Sequence, residues 1–243
     1  MQIESVIFDL FDTLLLLESD EAYYQPSLRR LHSFLVANGV NVSFERFSRA
    51  YFEVRDEFYA EARKTLDEPH FDLRVSQTLR RLGYDLDSSN PIVTGATAAF
   101  ADEFMRYVTL DQRAIDVLKD LHKEYKLGLI SNFAIPECGR RLLDKFGLTR
   151  FFDVVIISGE VNKRKPSPEI FEMALRGLGV KASRAVFVGD MLDLDVMGPK
   201  SVGMKTILIK RKPVNKSFNA KPDAVITKLS ELPAALHDST SGP

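Results

Sequence analysis

Short apolar runs recur along the chain, and each of them ends at a polar or charged residue. The first is Val6-Ile7-Phe8, and the later ones span residues 127–130, 154–157, 185–188, 206–209 and, more weakly, 224–226. Such runs are typical of strands buried on both faces of a parallel sheet. Segments with helical spacing lie between them. This alternation predicts an α/β protein with a doubly wound, mainly parallel sheet.

The interval 18–107 lacks these runs and has instead the spacing of several amphipathic helices. Along one of them a three-four spacing of apolar residues is kept by Phe44, Phe47, Tyr51, Val54 and Phe58. Because the strand pattern resumes after residue 107, we predict an all-helical domain over 18–107, inserted into an α/β domain formed by 1–17 and 108–236. Residues 237–243 are small and polar, and we predict a disordered tail there.

Charge and composition argue against several classes of protein. The 33 Lys and Arg residues are balanced by 34 Asp and Glu, which leaves a net charge of -1 and no basic footprint for nucleic acid. No apolar run approaches the ~18 residues that cross a bilayer, and the start lacks the basic segment of a signal peptide. We therefore expect a cytoplasmic protein without membrane or nucleic-acid partners, either monomeric or weakly self-associating.

Polar side chains follow three of the apolar runs at the point where each run ends. Asp9 follows the first run, Ser131-Asn132 the second and Gly189-Asp190 the fourth, while Lys165 lies in a basic segment interrupted by prolines. Ligands of doubly wound sheets bind beyond the carboxyl ends of the strands. The sequence therefore predicts one site in which carboxylates, a hydroxyl and a lysine converge.

Together these segments resemble the four motifs of the haloacid dehalogenase-like (HAD) hydrolase superfamily. The segments in question are 8–14, 130–132, 165–168 and 188–195. The helical interval also lies where that family places its cap domain. The resemblance implies a Rossmann-like core with an inserted helical cap, and a hydrolase of the phosphatase or dehalogenase branch.

The resemblance implies a role for each acidic residue of the site. Asp9 is the expected nucleophile, which would attack phosphorus and form an aspartyl-phosphate. The expected cofactor is Mg²⁺, which prefers oxygen ligands and would bind the side chains of Asp9 and Asp190 and the backbone carbonyl of Phe11. Asp195 is expected to contact these ligands rather than the metal.

Three further residues complete the predicted site. Lys165 would neutralise the nucleophile and the transferring oxygens. Ser131 and the amide of Asn132 would donate hydrogen bonds to the same oxygens. By this account Asp9, Ser131 and Lys165 are catalytic, Ser131, Asn132 and Lys165 bind the substrate, and the substrate is a small phosphorylated metabolite.

The chain departs from the family pattern at Phe11. Phosphatases of the superfamily usually carry a general acid two residues after the nucleophile, and that position is Phe11 here. Asp12 is one residue further along, where we interpret it as a turn residue rather than the missing acid. Losing a general acid typically costs ~10²–10⁴-fold in rate.

Phe11 keeps a second hypothesis open, a 2-haloacid dehalogenase acting through an aspartyl ester, since a leaving halide needs no proton. Gly189-Asp190 argues against it, because metal-independent dehalogenases of this kind lack that pair. A cap arginine for the halide is not identifiable among Arg49, Arg55, Arg63 and Arg74. A third hypothesis, a binding module without activity, is ranked last because it leaves Asp9, Ser131, Lys165 and Asp190 without a purpose.

Several other polar residues receive no catalytic role from the sequence. Asp193 and the basic run 210–212 are interpreted as solvated turns. The four histidines share no metal-ligand spacing. Cys138 is interpreted as an inert buried thiol.

Overall fold

A computed structural model of the protein describes residues 2–211 and 221–240. Its strands, in chain order, are β1 (Ser5–Phe8), β2 (Leu15–Leu17), β3 (Val108–Leu110), β4 (Lys126–Ser131), β5 (Val154–Ile157), β6 (Ala185–Gly189), β7 (Lys205–Ile209) and β8 (Ala224–Ile226). Within the described part of the chain, six of them form a parallel sheet in the order β5-β4-β1-β6-β7-β8. All six predicted runs are strands of this sheet, so the predicted doubly wound α/β fold is confirmed.

The register of the central strands brings their carboxyl ends to one level. Phe8, the last residue of β1, pairs with Leu129 of β4 on one side and with Val188 of β6 on the other. Val6 and Phe8 pack in the larger apolar cluster, whereas Ile7 packs in the smaller one. Because successive side chains point to opposite faces, both faces of β1 are covered, as its uninterrupted apolar sequence predicts.

Helices cover the sheet and fill the interval between β2 and β3. They are α1 (Asp20–Ala37), α2 (Phe44–Thr65), α3 (Phe71–Arg81), α4 (Pro91–Phe104), α5 (Ala114–Leu121), α6 (Pro136–Lys145), α7 (Ser158–Val161), α8 (Pro168–Leu178), α9 (Gly198–Ser201) and α10 (Leu232–Thr240). Proline occupies the start of α4, α6 and α8, where its missing N–H costs no helical hydrogen bond. Phe47, Tyr51 and Val54 of α2 are fully buried, as their spacing predicts.

Helices α1 to α4 all lie within the predicted insertion 18–107. The strands β2 and β3, which the sequence did not predict, flank this interval and pair with each other antiparallel. Strand β2 precedes the helical interval and β3 follows it, and the two form a small sheet that is separate from the main sheet. The division into 1–17, 108–236 and 18–107 remains a prediction.

Helix α10 continues to Thr240, so it extends into the predicted tail 237–243, whose disorder stays a prediction. Leu232 and Leu236 are buried and hold this helix against the core. Residues 241–243, the rest of the predicted tail, lie outside the described residues. Within residues 2–211 and 221–240, no helix combines the length and the apolarity that crossing a lipid bilayer requires.

Candidate active site

Lys165 joins the candidate nucleophile to a second carboxylate. Its Nζ donates to Oδ1 of Asp9 over 2.6 Å and to Oδ1 of Asp195 over 2.7 Å. The Nζ atom also lies 5.1 Å from the centre of the Phe187 ring, and only 2% of Lys165 is exposed. A buried ammonium needs such partners, since an unpaired charge in the interior is costly. The chain thus brings together residues 156 and 30 positions apart.

Asp195 is fixed from behind by the backbone. Its Oδ2 accepts from the backbone N–H of Asp190 over 3.1 Å and from that of Met191 over 3.0 Å. A side chain on Gly189 would place its Cβ 2.5 Å from Cγ of Asp195, so only glycine permits this approach. Both carboxylate oxygens of Asp195 are occupied by protein donors, and its supporting role beside the metal ligands stays a prediction.

Three carboxylates form an acidic cluster at the carboxyl ends of β1 and β6. One oxygen each from Asp9, Asp190 and Asp195 lies within 4.8 Å of the others. Burial, and then repulsion from Asp9, Asp195 and Asp12, raises the pKa of Asp190 to about 8. Burial also raises the pKa of Asp9 to about 6, although attraction by Lys165 opposes this rise.

These raised pKa values indicate that the site contains too little positive charge for its three carboxylates. Burial lowers the pKa of Lys165, but attraction by Asp195 and Asp9 outweighs burial and raises it overall, so the lysine is charged. One ammonium faces three carboxylates, and a divalent cation would restore balance and keep Asp9 and Asp190 ionised. The all-oxygen donor set fits a hard cation such as Mg²⁺.

Ser131 and Asn132 follow β4 beside this cluster. The Oγ of Ser131 is buried and, among the described residues, has no hydrogen-bond partner. The side chain of Asn132 donates to the backbone oxygen of Lys165 over 3.0 Å and accepts from its backbone N–H over 2.8 Å. The Asn132 side chain therefore holds Lys165 in place, while the Ser131 hydroxyl is available to a ligand.

Phe11 presents an aromatic ring to a neighbouring cavity. The ring lies edge-on to Phe133 at 5.1 Å and to Phe104 at 5.8 Å between ring centres. Asp12 adopts a left-handed backbone conformation with φ 54°, and its N–H donates to the carbonyl of Leu15 over 2.6 Å. Asp12 is thus a turn residue, as predicted, and Phe11 forms an apolar wall at the position where the family's acid would be.

The structure also gives partners to residues that the sequence left without a role. Arg211 donates to Oδ2 of Asp111 over 2.5 Å and to the carbonyl of Thr13 over 3.1 Å, so it is not the solvated turn residue that we predicted. Its neighbour Lys212 lies outside the described residues. No sequence signal identified Arg211, because its partner Asp111 is 100 residues away.

The helical interval contacts the sheet domain close to Lys165. Lys163 donates to Asp67 over 2.6 Å, and Arg164 is 3.3 Å from a carboxylate oxygen of Glu68. On the other side, Nε2 of His70 is 2.9 Å from Oε2 of Glu137. Residues of the helical interval therefore contact the segment that carries Lys165.

Comparison with known proteins identifies the family. A model of the haloacid dehalogenase-like hydrolase family matches residues 3–203, which is most of the chain. The chain belongs to this family. The predicted resemblance and the predicted hydrolase activity of this HAD protein are thereby confirmed.

Curated relatives of this HAD hydrolase are phosphatases. It is 32% identical over 211 residues to a glyceraldehyde 3-phosphate phosphatase of Methanopyrus kandleri, an alignment that covers 86% of this chain and 84% of the relative. It is 28% identical to the protein of the same name from Pyrococcus furiosus, with 95% and 92% covered. These relatives favour phosphatase over dehalogenase activity.

Solved structures similar to this HAD hydrolase include both branches. A 2-haloacid dehalogenase from Pseudomonas syringae pv. Tomato DC3000 superposes with a TM-score of 0.74 at 25% identity, covering 98% of this chain and 99% of the other. A HAD phosphatase from Thermococcus onnurineus superposes with a TM-score of 0.66 at 28% identity, covering 96% and 98%. Overall shape therefore does not separate the two activities.

Proposed function

We propose that the protein is a magnesium-dependent phosphatase that hydrolyses a small phosphorylated metabolite through an aspartyl-phosphate on Asp9. The observation that carries this proposal is the acidic cluster of Asp9, Asp190 and Asp195 around a single lysine. A carboxylate that attacks carbon and expels a halide has no use for a second carboxylate beside it, such as that of Asp190. A carboxylate that attacks an anionic phosphoryl group needs a cation there.

In the first step, an oxygen of Asp9 forms a bond to phosphorus while the bond from phosphorus to the leaving-group oxygen breaks. In the second step, water attacks the same phosphorus, inorganic phosphate leaves and the carboxylate of Asp9 is regenerated. Lys165 holds Oδ1 of Asp9 and opposes its protonation. The unpartnered hydroxyl of Ser131 donates to an oxygen of the transferring group.

Asp9 and Asp190, with the backbone carbonyl of Phe11, would hold the Mg²⁺ ion. When bound, the ion supplies positive charge to the phosphoryl oxygens. Asp195 keeps Lys165 and the backbone of Asp190 and Met191 in place. The helical interval 18–107 serves as a cap that excludes water and selects the leaving group.

Because Phe11 occupies the position of the family's general acid, no side chain there donates a proton to the leaving alkoxide. The leaving oxygen then takes its proton from water, and substrates with good leaving groups react faster than those with poor ones. Glyceraldehyde 3-phosphate, the compound for which these relatives are named, is included among the candidates to be tested.

The proposal is tested by phosphate release from para-nitrophenyl phosphate and from a panel of small phosphate monoesters, with magnesium and with chelator. We expect turnover that requires magnesium and is lost in Asp9→Asn. Equal rates in magnesium and chelator, or no turnover across the panel, would overturn it.

A second candidate, the 2-haloacid dehalogenase, is favoured by the apolar wall at Phe11 and by the similar dehalogenase structure. It predicts chloride release from 2-chloropropionate that persists in chelator and disappears in Asp9→Asn. Because both candidates use Asp9, the response to chelator separates them.

A further inference from the structure

A cavity of about 260 Å³ adjoins the candidate active site. Phe11 and Asn132 form part of its wall, and Asn132 holds the backbone of Lys165. Eight of its fifteen lining residues are phenylalanine or tyrosine, so the cavity is suited to an apolar or aromatic body. Its charged lining consists of Glu68, Arg74 and Arg164, which leaves one positive charge in excess.

Arg74 carries this excess charge. The residue is only 6% exposed, and its Nε–H is shielded from solvent without a hydrogen-bond partner among the described residues. Among the described residues, no carboxylate oxygen lies within 4.0 Å of the Arg74 guanidinium. The guanidinium lies instead 5.1 Å from the ring centre of Phe71 and 5.2 Å from that of Tyr59.

The other two charged residues of the cavity largely satisfy each other. Nε of Arg164 is 3.3 Å from Oε2 of Glu68. Burial raises the pKa of Glu68, while Arg164 and then Arg74 oppose that rise. Burial lowers the pKa of Arg74, but attraction by Tyr51, Tyr59 and Tyr24 outweighs burial and raises it overall, so Arg74 is a buried cation compensated by tyrosines and ring faces rather than by a paired carboxylate. A contact between a cation and a ring face is worth only about 0.5–2 kcal/mol.

We propose that Arg74 binds a carboxylate of the substrate, so that this site takes phosphate monoesters that carry a carboxylate on an apolar body. A planar guanidinium pairs with a carboxylate through two parallel hydrogen bonds. The Nε–H without a partner is a donor that such a ligand would satisfy. The substrate class rests on the proposed function, because the phosphoryl group would occupy the site around Asp9.

The carboxylate site is tested first without phosphorus, by titrating the magnesium-loaded protein with benzoate and with its neutral counterpart benzamide in a calorimeter. We expect benzoate to bind at least about tenfold more tightly, the effect of one hydrogen-bonded charge pair. This preference is expected to disappear in Arg74→Gln. It is expected to persist in Arg81→Gln, which changes an exposed arginine of the same helix that pairs with Glu57.

Glu68→Gln provides a variant that leaves Arg74 in place. Removing the one acidic side chain of the cavity lining should strengthen benzoate binding about threefold or more without affecting benzamide. This variant decides the question if Arg74→Gln fails to fold. Equal binding of benzoate and benzamide by the wild-type protein, or an unchanged preference in Arg74→Gln, would overturn the proposal.

A second series links the carboxylate site to the phosphoryl site. Carboxyalkylphosphonates of increasing length are compared with alkylphosphonates of the same length. A tenfold preference for the carboxylate at one or more lengths supports the proposed substrate class. If the protein prefers benzoate to benzamide but binds no phosphonate, the carboxylate site is supported and the proposed phosphatase function is contradicted. If it binds phosphonates without any preference for a carboxylate, the carboxylate site is contradicted and the proposed phosphatase function is supported.

Discussion

Asp195 accepts a 2.7 Å hydrogen bond from the same Nζ of Lys165 that donates to Asp9 over 2.6 Å. One buried ammonium therefore fixes the candidate nucleophile relative to a carboxylate that is itself held by two backbone amides. The arrangement leaves three acidic groups facing one lysine. Its two consequences are a rigid position for Asp9 and a demand for further positive charge.

Lys165→Met should lower both stability and activity. It leaves Asp9 and Asp195 buried without their common partner, which should reduce the free energy of unfolding by about 3 kcal/mol. Phosphate release should fall ~10²–10³-fold, because the transferring oxygens lose their fixed cation. Urea unfolding and steady-state kinetics measure the two effects. Lys163→Met, which removes a nearby lysine paired with Asp67, is the control and should retain full activity.

Phe11→Asp should change how the rate depends on the leaving group. Wild-type kcat/KM should fall steeply as the pKa of the leaving alcohol rises, because no side chain at this position donates a proton. The variant should be ~10²-fold faster on poor leaving groups, although losing the contacts with Phe104 and Phe133 should cost about 2 kcal/mol of stability.

Phe11→Leu separates these two effects, since it perturbs packing without adding an acid. A series of aryl and alkyl phosphates gives the slope. An identical slope in wild type, Phe11→Leu and Phe11→Asp would show that position 11 has no bearing on proton donation.

Magnesium should stabilise the protein more at pH 8.5 than at pH 6. The pKa values of Asp9 and Asp190 are raised above the ordinary 3.8 to about 6 and about 8. Their contribution to stability is therefore complete below pH 3.8 and is lost as the pH rises through 6 and 8. A cation removes the repulsion between the ionised groups. Thermal unfolding with and without magnesium at the two pH values provides the test.

Asp190→Asn is the control for this pH dependence, because it removes the carboxyl group with the higher pKa. The variant should show a smaller loss of Tm between pH 6 and pH 8.5 without metal, and a smaller response to magnesium. A magnesium effect on Tm that is equal at both pH values would argue against a metal site at these carboxylates.

Protonated His70 should stabilise the contact between α3 and α6. Hydrogen bonding to Asp72, together with that to Glu137, raises the pKa of His70 to about 9 despite burial. In the protonated ring Nδ1 donates to the carboxylate of Asp72, 3.1 Å away, rather than accepting from its amide. The contribution is complete below about pH 6.5 and is lost as the pH rises through 9.

His70→Gln should therefore lower the free energy of unfolding by about 1 kcal/mol at pH 6, a modest value because the partner Glu137 is largely exposed. At pH 9.5 the cost should be much smaller, because His70 is then mostly neutral. Urea titrations at the two pH values measure the difference. His122→Gln, at an exposed position after α5, is the matched control. A cost of His70→Gln that does not change with pH would exclude a protonated His70.

The sheet was predictable because its signal is local. Each buried strand is an apolar run in the sequence. Because ligands bind at the carboxyl ends of the strands in such a sheet, the sequence alone predicts that Asp9, Ser131 and Asp190 share one site. Lys165 needed the family resemblance, because it lies in a loop rather than at a strand end. The short pair β2 and β3 was missed, because strands of three residues carry too little pattern to stand out.

The cavity residues could not be predicted for a different reason. Spacing along a helix shows that Phe71 and Arg74 lie on related faces, but which face meets the site depends on how the helices of the interval pack. The sequence did not distinguish among Arg49, Arg55, Arg63 and Arg74, four of the ten arginines in that interval. Only the packing shows that Arg74 lines the cavity while Arg55 pairs with Asp56 near the surface.

The central claim is that Asp9 forms a covalent bond to phosphorus, and mass analysis of acid-quenched reactions tests it most directly. The enzyme is mixed with magnesium and a phosphate monoester that it turns over, quenched during the steady state, digested and analysed. The account predicts one added phosphoryl group on the peptide that contains Asp9 and none in Asp9→Asn. Turnover with an unmodified Asp9 peptide, or with the phosphoryl group on another residue, would contradict it.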